Sequence, residues 1–575
     1  MLKKLLRYML MVLSLVTVTT MMSACSTSEK GKDTSTKGSD QSNTSTDSGS
    51  NEDIKAVEDE PKDPLGKYEP GIKLRGAYFV SSGTQFIKGN PDYDSPEQNL
   101  FIKDYKDYLG IDVVYDWVSA DVEAYDTKWN MAMAQDNLPD FGLVNETQYK
   151  MLLEAGLVMD MTDIFDQYAS EKYKEFITAD GGATLGYSTQ NGRMMGLPLT
   201  GAQPDTVPIL FIRKDWLDEL DLSVPTTIEE LEVAAKAFVD NQMGGPDTYG
   251  FVGSKNAFEY DLSFRGILNG YGAYPGAWVK DSTGKIVYGS TTDSVKSPLL
   301  KLQEWYKTGL INEDFAVTDQ SIAKEDVAAG KVGIAFGTYY IAPGVGDAAS
   351  GDEQAEWAIV ELPTADGAPA IAQSTVKRTQ FIFVNKNCKY PEAVVKLVNL
   401  GIDLIYNDDP ETVARHTSHL VGDTGVQTSK YVATVFYCQI PWQNLKIQQD
   451  VVNALNTGNK EWTIPIAATK YELALQYEAG DRSQWNQYHI FGPTSTFTVI
   501  KNMWDEGRII LDEYQTLPTE TMTAKYQLLD DALKTAMIKV IMGEDISVYE
   551  SAVQDWFKNG GQAMTDEVNT WYSQK

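Results

Sequence analysis

Aromatic side chains set in loops near amides and carboxylates are the residues of this chain best suited to chemistry. That chemistry is recognition rather than bond-making. The chain carries 12 Trp and 31 Tyr, but most aromatics in any fold fill the core, so position decides. Tyr271, Tyr274 and Trp278 fall in a stretch broken by Gly272, Pro275 and Gly276, where packing on a regular face is a poor explanation. Tyr339 and Tyr340 follow the strand-like run Val332–Phe336 and Gly337, and precede Ala342-Pro343-Gly344. Trp442 follows Pro441, and Trp485 sits among Ser, Gln and Asn. Trp216, Trp305, Trp556 and Trp571 lie instead on helical apolar faces and are assigned to packing. Rings in loops stack on the C–H faces of a ligand, while planar polar side chains fix its polar groups.

Polar candidates accompany them. Asn145 and Gln148 follow the run Phe141–Val144 at its carboxyl end, where open α/β sheets bind ligands. Gln203 and Asp205 come shortly after Leu197-Pro198. Arg378 offers a guanidinium for bidentate bonds to hydroxyls or a carboxylate. The plainer reading of each is a solvated loop or a structural ion pair.

Covalent chemistry finds little support. His416 and His419 are three apart without a metal-ligand motif, and His489 stands alone. No serine nucleophile elbow, phosphate loop or His-Glu zinc helix occurs. Acidic residues are plentiful, yet nothing singles out a carboxylate pair for glycoside hydrolysis. No catalytic residue, metal or cofactor is expected.

The elements that must hold these residues alternate between strand and helix patterns, the signature of an α/β fold. Strands are expected at Ile72–Val80, Ile111–Trp117 and Phe141–Val144, with helices over Gln98–Leu109 and Asp126–Ala134. Pro225-Thr226-Thr227-Ile228-Glu229-Glu230 reads as a capping box opening a helix with Leu231, Ala235 and Phe238 on one face. Leu299–Lys307 repeats the helical spacing. Near the C-terminus a helix through Tyr549 and Trp556 is expected to stop at Gly560-Gly561, with a last helix from about Thr565.

The first 24 residues differ in kind. Lys3, Lys4 and Arg7 precede an apolar run to Met22, a signal-peptide pattern rather than a permanent span. It ends Met22-Ser23-Ala24-Cys25, small residues before a cysteine, which resembles a bacterial lipobox with Met22 in place of the usual Leu. Cys25 is therefore the expected lipidation site, and acyl chains there hold the protein at the outer face of the cell membrane. Residues 25–67, rich in Ser, Thr, Asp and Gly, read as a disordered tether. The formal charge of −32 disfavours nucleic-acid partners. Cys388 and Cys438 read as buried thiols, with a disulfide as the alternative.

Several segments in one order resemble the family 1 extracellular solute-binding lipoproteins of oligosaccharide ABC importers. They are Asn137-Leu138-Pro139-Asp140-Phe141, Gly192-Arg193-Met194-Met195-Gly196-Leu197-Pro198, Arg213-Lys214-Asp215-Trp216-Leu217, Asp247-Thr248-Tyr249-Gly250-Phe251, Lys331-Val332-Gly333-Ile334 and Tyr390-Pro391-Glu392-Ala393. Ile541-Met542-Gly543 and Glu567-Val568-Asn569-Thr570-Trp571-Tyr572 complete the set. The resemblance covers roughly Ile72 to Lys575.

It implies a two-lobed, periplasmic-binding-protein-like α/β fold of type II, with strands crossing at a hinge and the ligand in the cleft between lobes. The implied division is 68–200 in lobe 1, 201–378 in lobe 2, 379–440 returning to lobe 1, and 441–575 as a helical region completing both. Crossings are expected near Gly196–Ile212, Val376–Val384 and Phe491–Phe497. An aromatic near Tyr339-Tyr340 is implied to lie under the ligand. The implied partners are an oligosaccharide and the permease subunits of an ABC importer, met by a monomer that performs no catalysis. Many relatives hold calcium before Thr-Tyr-Gly, but in Asp240–Asp247 the residues Met243, Gly244 and Pro246 supply no side-chain oxygen. The alternatives are a surface lipoprotein enzyme acting on polysaccharide, or a peptide- or signal-sensing protein on the same fold.

Overall fold

The computed structural model describes residues 62–80, 84–201, 205–352, 354–374, 380–421 and 427–574. The signal peptide, Cys25, most of the expected tether, Gln203 and Arg378 lie outside the described residues. The described residues, from Lys62 to Gln574, are held together by their contacts as one unit, within which two sheets build two layers.

In the first sheet β1 (Ile72–Phe79) pairs in parallel with β2 (Ile111–Ser119) and with β3 (Phe141–Asn145). Gly76 on β1 is there because the Phe141 ring fills the space a side chain would need. The helix α1 (Glu146–Glu154) starts directly from the end of β3. In the second sheet β4 (Ile209–Arg213) is buried along its whole length, and α2 (Ile228–Asp240) opens with the Thr227–Glu230 capping box read from sequence. A hairpin of β5 (Trp278–Lys280) and β6 (Ile286–Tyr288) stands apart. β7 (Ile334–Gly337) and β8 (Trp357–Val360) flank β4 antiparallel. The chain then runs through β9 (Ala372–Ser374) to β10 (Gln380–Val384), which joins β3 antiparallel and completes the order β10-β3-β1-β2.

The segments linking the sheets lie side by side. Gly196, at φ 69°, makes the turn that lets Leu197 donate its N–H to Ile382 O at 3.0 Å, and residues 198–208 then lead to β4. After the helix α3 (Pro391–Ile405) the chain comes back through 436–443 into α4 (Gln443–Thr457), and Gln439 N donates to Thr200 O at 3.4 Å. Thr206 Oγ1 meets Ser374 Oγ at 2.9 Å. Ser374 is in parallel register with Leu511 of β11 (Ile509–Leu511), which leads into the long helix α5 (Glu520–Ile541).

One expectation is corrected. Phe491–Phe497 is no crossing strand: it joins the helices Trp485–Phe491 and Thr496–Asp505, because Gly492-Pro493 break the first and Ser495 caps the second. The two phenyl rings stack 5.8 Å apart across this turn. As expected, the helix through Tyr549 and Trp556 breaks at Gly560-Gly561: Gly560 takes φ 146°, a non-helical kink, and a last helix runs from Gln562 to Tyr572. Trp216, Trp305 and Trp556 are buried as assigned, and Trp571 packs edge-on to Tyr514. Cys388 and Cys438 are buried thiols, not joined to each other. The Asp240–Asp247 stretch is a turn in which Gly244 N donates to Thr248 Oγ1 at 2.8 Å. No helix of the described residues is long and apolar enough to cross a membrane.

Candidate functional site between the sheets

Asp205 stands at the start of the approach to β4, where the chain enters the second layer. It is 7% exposed, and its Oδ2 accepts from Asn444 Nδ2 at 2.8 Å. Its Oδ1 is buried with no hydrogen-bond partner among the described residues. Burial pushes the carboxyl up to about 7, with Asn444 and Tyr339 pulling the other way. A carboxyl so placed is a donor and acceptor with one atom unpartnered among the described residues, and such a buried atom calls for a partner.

Around it stand the tyrosines. The end of β7 leads through Gly337 to Thr338, whose N–H and hydroxyl both bond Asp261 Oδ1, at 2.8 and 2.7 Å. That anchor sets the turn carrying Tyr339 and Tyr340, whose rings lie 4.1 Å apart. Tyr339 packs on Phe497, while Tyr340 is 52% exposed, open to solvent as a contact surface must be. From the first layer come Tyr431 and Tyr437, 4.9 Å apart, and Gln439 and Gln443 donate to the Tyr437 hydroxyl at 3.3 and 3.2 Å. Asp205 and Tyr431 both act electrostatically on Tyr339 and Tyr340.

Across the crossing segments from this cluster, a groove of about 200 Å³ opens between α1 and the start of α5. Thr147, Lys150, Trp278, Tyr514, Tyr526 and Gln527 line it. Lys150 Nζ spans the opening to Thr523 Oγ1 at 2.6 Å and to the carbonyls of Pro518 and Thr519 at 3.4 Å.

The remaining predicted residues fall elsewhere. Asn145 and Gln148 form the capping box of α1, and Asn145 Nδ2 also bonds Asp126 at 2.9 Å, so their polar groups are largely spent on backbone and neighbours. Trp485 is 2% exposed and stacks on His489 at 4.0 Å inside the second layer. Tyr271 is half-buried among Lys301, Glu229 and Glu232. Tyr274 is half-buried near the hairpin, whose first residue Trp278 packs on Tyr288 with one edge in the groove. Trp442 adopts φ 65° at the head of α4, its ring 4.1 Å from Trp504. Asn444, Tyr431 and Tyr437 were missed, although the dense amides and rings of Tyr437-Cys438-Gln439-Ile440-Pro441-Trp442-Gln443-Asn444 were a signal.

Residues 89–402, more than half the chain, match the family described as bacterial extracellular solute-binding protein. The chain belongs to that family. Lipoprotein LipO of Bacillus subtilis is 23% identical over 505 residues, 83% of this chain and 90% of that protein. The polygalacturonan/rhamnogalacturonan-binding protein YtcQ of the same organism is 26% identical over 324 residues, 55% of this chain and 62% of that one. Among solved structures, the Streptococcus pneumoniae ABC-transporter substrate-binding protein FusA in complex with kestose superposes with a TM-score of 0.60 at 13% identity, covering 88% of this chain and 99% of that one. An extracellular solute-binding protein of Bifidobacterium longum subsp. infantis gives 0.59 at 17% identity over the same shares. The expected periplasmic-binding-protein-like fold is thus the observed one. The family and these neighbours are binding proteins rather than enzymes.

Proposed function

We propose that this protein captures an oligosaccharide between its two layers and hands it, unaltered, to the permease subunits of an ABC importer. The observation that carries the reading is the buried Asp205, whose Oδ1 has no hydrogen-bond partner among the described residues, beside Asn444 and the Tyr339-Tyr340 pair. A sugar hydroxyl satisfies that oxygen, and the tyrosine rings supply the platform its C–H face needs. The relatives named for polygalacturonan and kestose support a glycan ligand. Closure of the two layers over it distinguishes loaded from empty protein, which is what a permease must read. Lipidation at Cys25 fits this role by holding the carrier at the membrane as a monomer.

Titration of the protein against a glycan array, read by tyrosine and tryptophan fluorescence, tests the proposal. Saturable binding of at least one glycan, with the ligand recovered intact by mass spectrometry, is expected. A peptide binder with no glycan binder, or shortened product from a polymer, overturns it.

A further inference from the structure

The Asp205 cluster and the Trp278 groove lie at opposite ends of one row of backbone. Residues 436–443 touch Thr200 through the Gln439 N–H, Thr206 touches Ser374, and Ser374 is in register with Leu511. Asp205 belongs to the second segment of this row, and Asn444 follows directly on the first, in the opening turn of α4. Asp512 and Tyr514 continue the last. One ladder, one backbone hydrogen bond and one hydroxyl pair join these four segments, and backbones in such contact lie about 5 Å apart, so the ends of the row are roughly 14 Å from each other. That span exceeds a disaccharide.

The groove at the far end has its own recognition chemistry. Trp278 and Tyr514 are buried except for the edges that line it, and Tyr526 stands half-exposed beside them, its hydroxyl 3.0 Å from that of Tyr288. Thr147 and Gln527, both exposed, supply hydroxyl and amide from facing walls, one from each layer. At about 200 Å³ it has room for a pyranose ring. Rings at the floor and planar polar groups at the rim repeat the pattern at Tyr339 and Asn444.

We infer that the ligand is a linear glycan longer than a disaccharide, lying across the crossing segments with one end on Tyr339-Tyr340 and a distal sugar in the Trp278–Tyr514 groove. The inference rests on the carbohydrate reading above and adds the length of the ligand and its second subsite. Lys150, which bridges the groove between α1 and the start of α5, closes the wall behind that distal sugar.

Calorimetric titration of the detergent-solubilised full chain with size ladders, one to six units, from xylan, mannan, galactan and polygalacturonan hydrolysates tests this. In the ladder that binds, the tetrasaccharide should be about tenfold tighter than the disaccharide, the gain expected of one more stacked sugar. T147W and Q527W, each filling the groove from an exposed position, should bring that ratio to within about twofold. Equal affinities for disaccharide and tetrasaccharide in the native protein, or a ratio unmoved by both substitutions, overturn the distal subsite while leaving glycan binding standing. No binding by any member of the four ladders takes down the carbohydrate reading and the distal subsite with it.

Discussion

Asn444 Nδ2 lies 2.8 Å from Asp205 Oδ2, joining two residues 239 positions apart at the point where two crossing segments meet. The bond serves a carboxyl that burial already makes reluctant to ionise. Its removal leaves Asp205 with Tyr339 as its nearest polar side chain among the described residues, so N444A should lower ligand affinity and destabilise the protein by about 1–3 kcal/mol, read by chemical denaturation.

The Asp205 carboxyl, pushed up to about 7 from an ordinary 3.8, makes stability depend on pH with a definite sign. Between roughly pH 4 and 7 the folded protein holds this proton and the unfolded chain does not. Stability from this group is therefore full below about pH 4 and is lost as pH rises toward 7, a total on the order of 4 kcal/mol. D205N should flatten that slope. Unfolding free energies of native protein and variant from pH 4 to 8 check it, and parallel curves would contradict the assignment.

His416 Nε2 is 2.7 Å from Asp104 Oδ2, and Nδ1 is 2.7 Å from Thr412 O, all in a buried setting. H416A leaves Asp104 buried with only Arg415, at 3.6 Å, as a counter-charge. A loss of about 3–5 kcal/mol is expected. D104N combined with H416A should cost less than the single His substitution, a double-mutant cycle that thermal denaturation can close.

At Gly76 a Cβ would lie 2.6 Å from Cε2 of Phe141. G76A should therefore cost about 1–3 kcal/mol by overpacking. Trimming the opposing ring in G76A/F141L should return part of that loss, whereas F141L alone destabilises by opening a cavity.

Cys388 and Cys438 are both buried, and burial pushes the Cys388 thiol up to about 12. Neither should react with a disulfide reagent in the folded protein at pH 8, and both should titrate once it is denatured. Rapid modification of either thiol in the native state would place it at the surface.

Much of the scaffold was legible because it is local. The Thr227-x-x-Glu230 spacing announces its cap, and the apolar run Phe141–Val144 becomes β3 with only one residue added. The same spacing in Asn145-x-x-Gln148 equally announced a cap, and there the polar residues were read as ligand contacts instead. Trp485 shows a second limit. Its polar sequence neighbours suggested an open loop, but Gln484 is itself buried and the helical period sets His489 under the ring. Asn444 was out of reach for another reason: its meaning lies in Asp205, and no window of sequence contains both.

The lateral bonding of the crossing segments has a mechanical consequence. Segments tied side by side resist sliding past one another but bend readily about the line they share, as a book's spine does. Relative movement of the two layers is then expected to follow chiefly one angle. Dyes placed on opposite layers should report one common distance change, whichever guest is added, differing only in how much of it is populated.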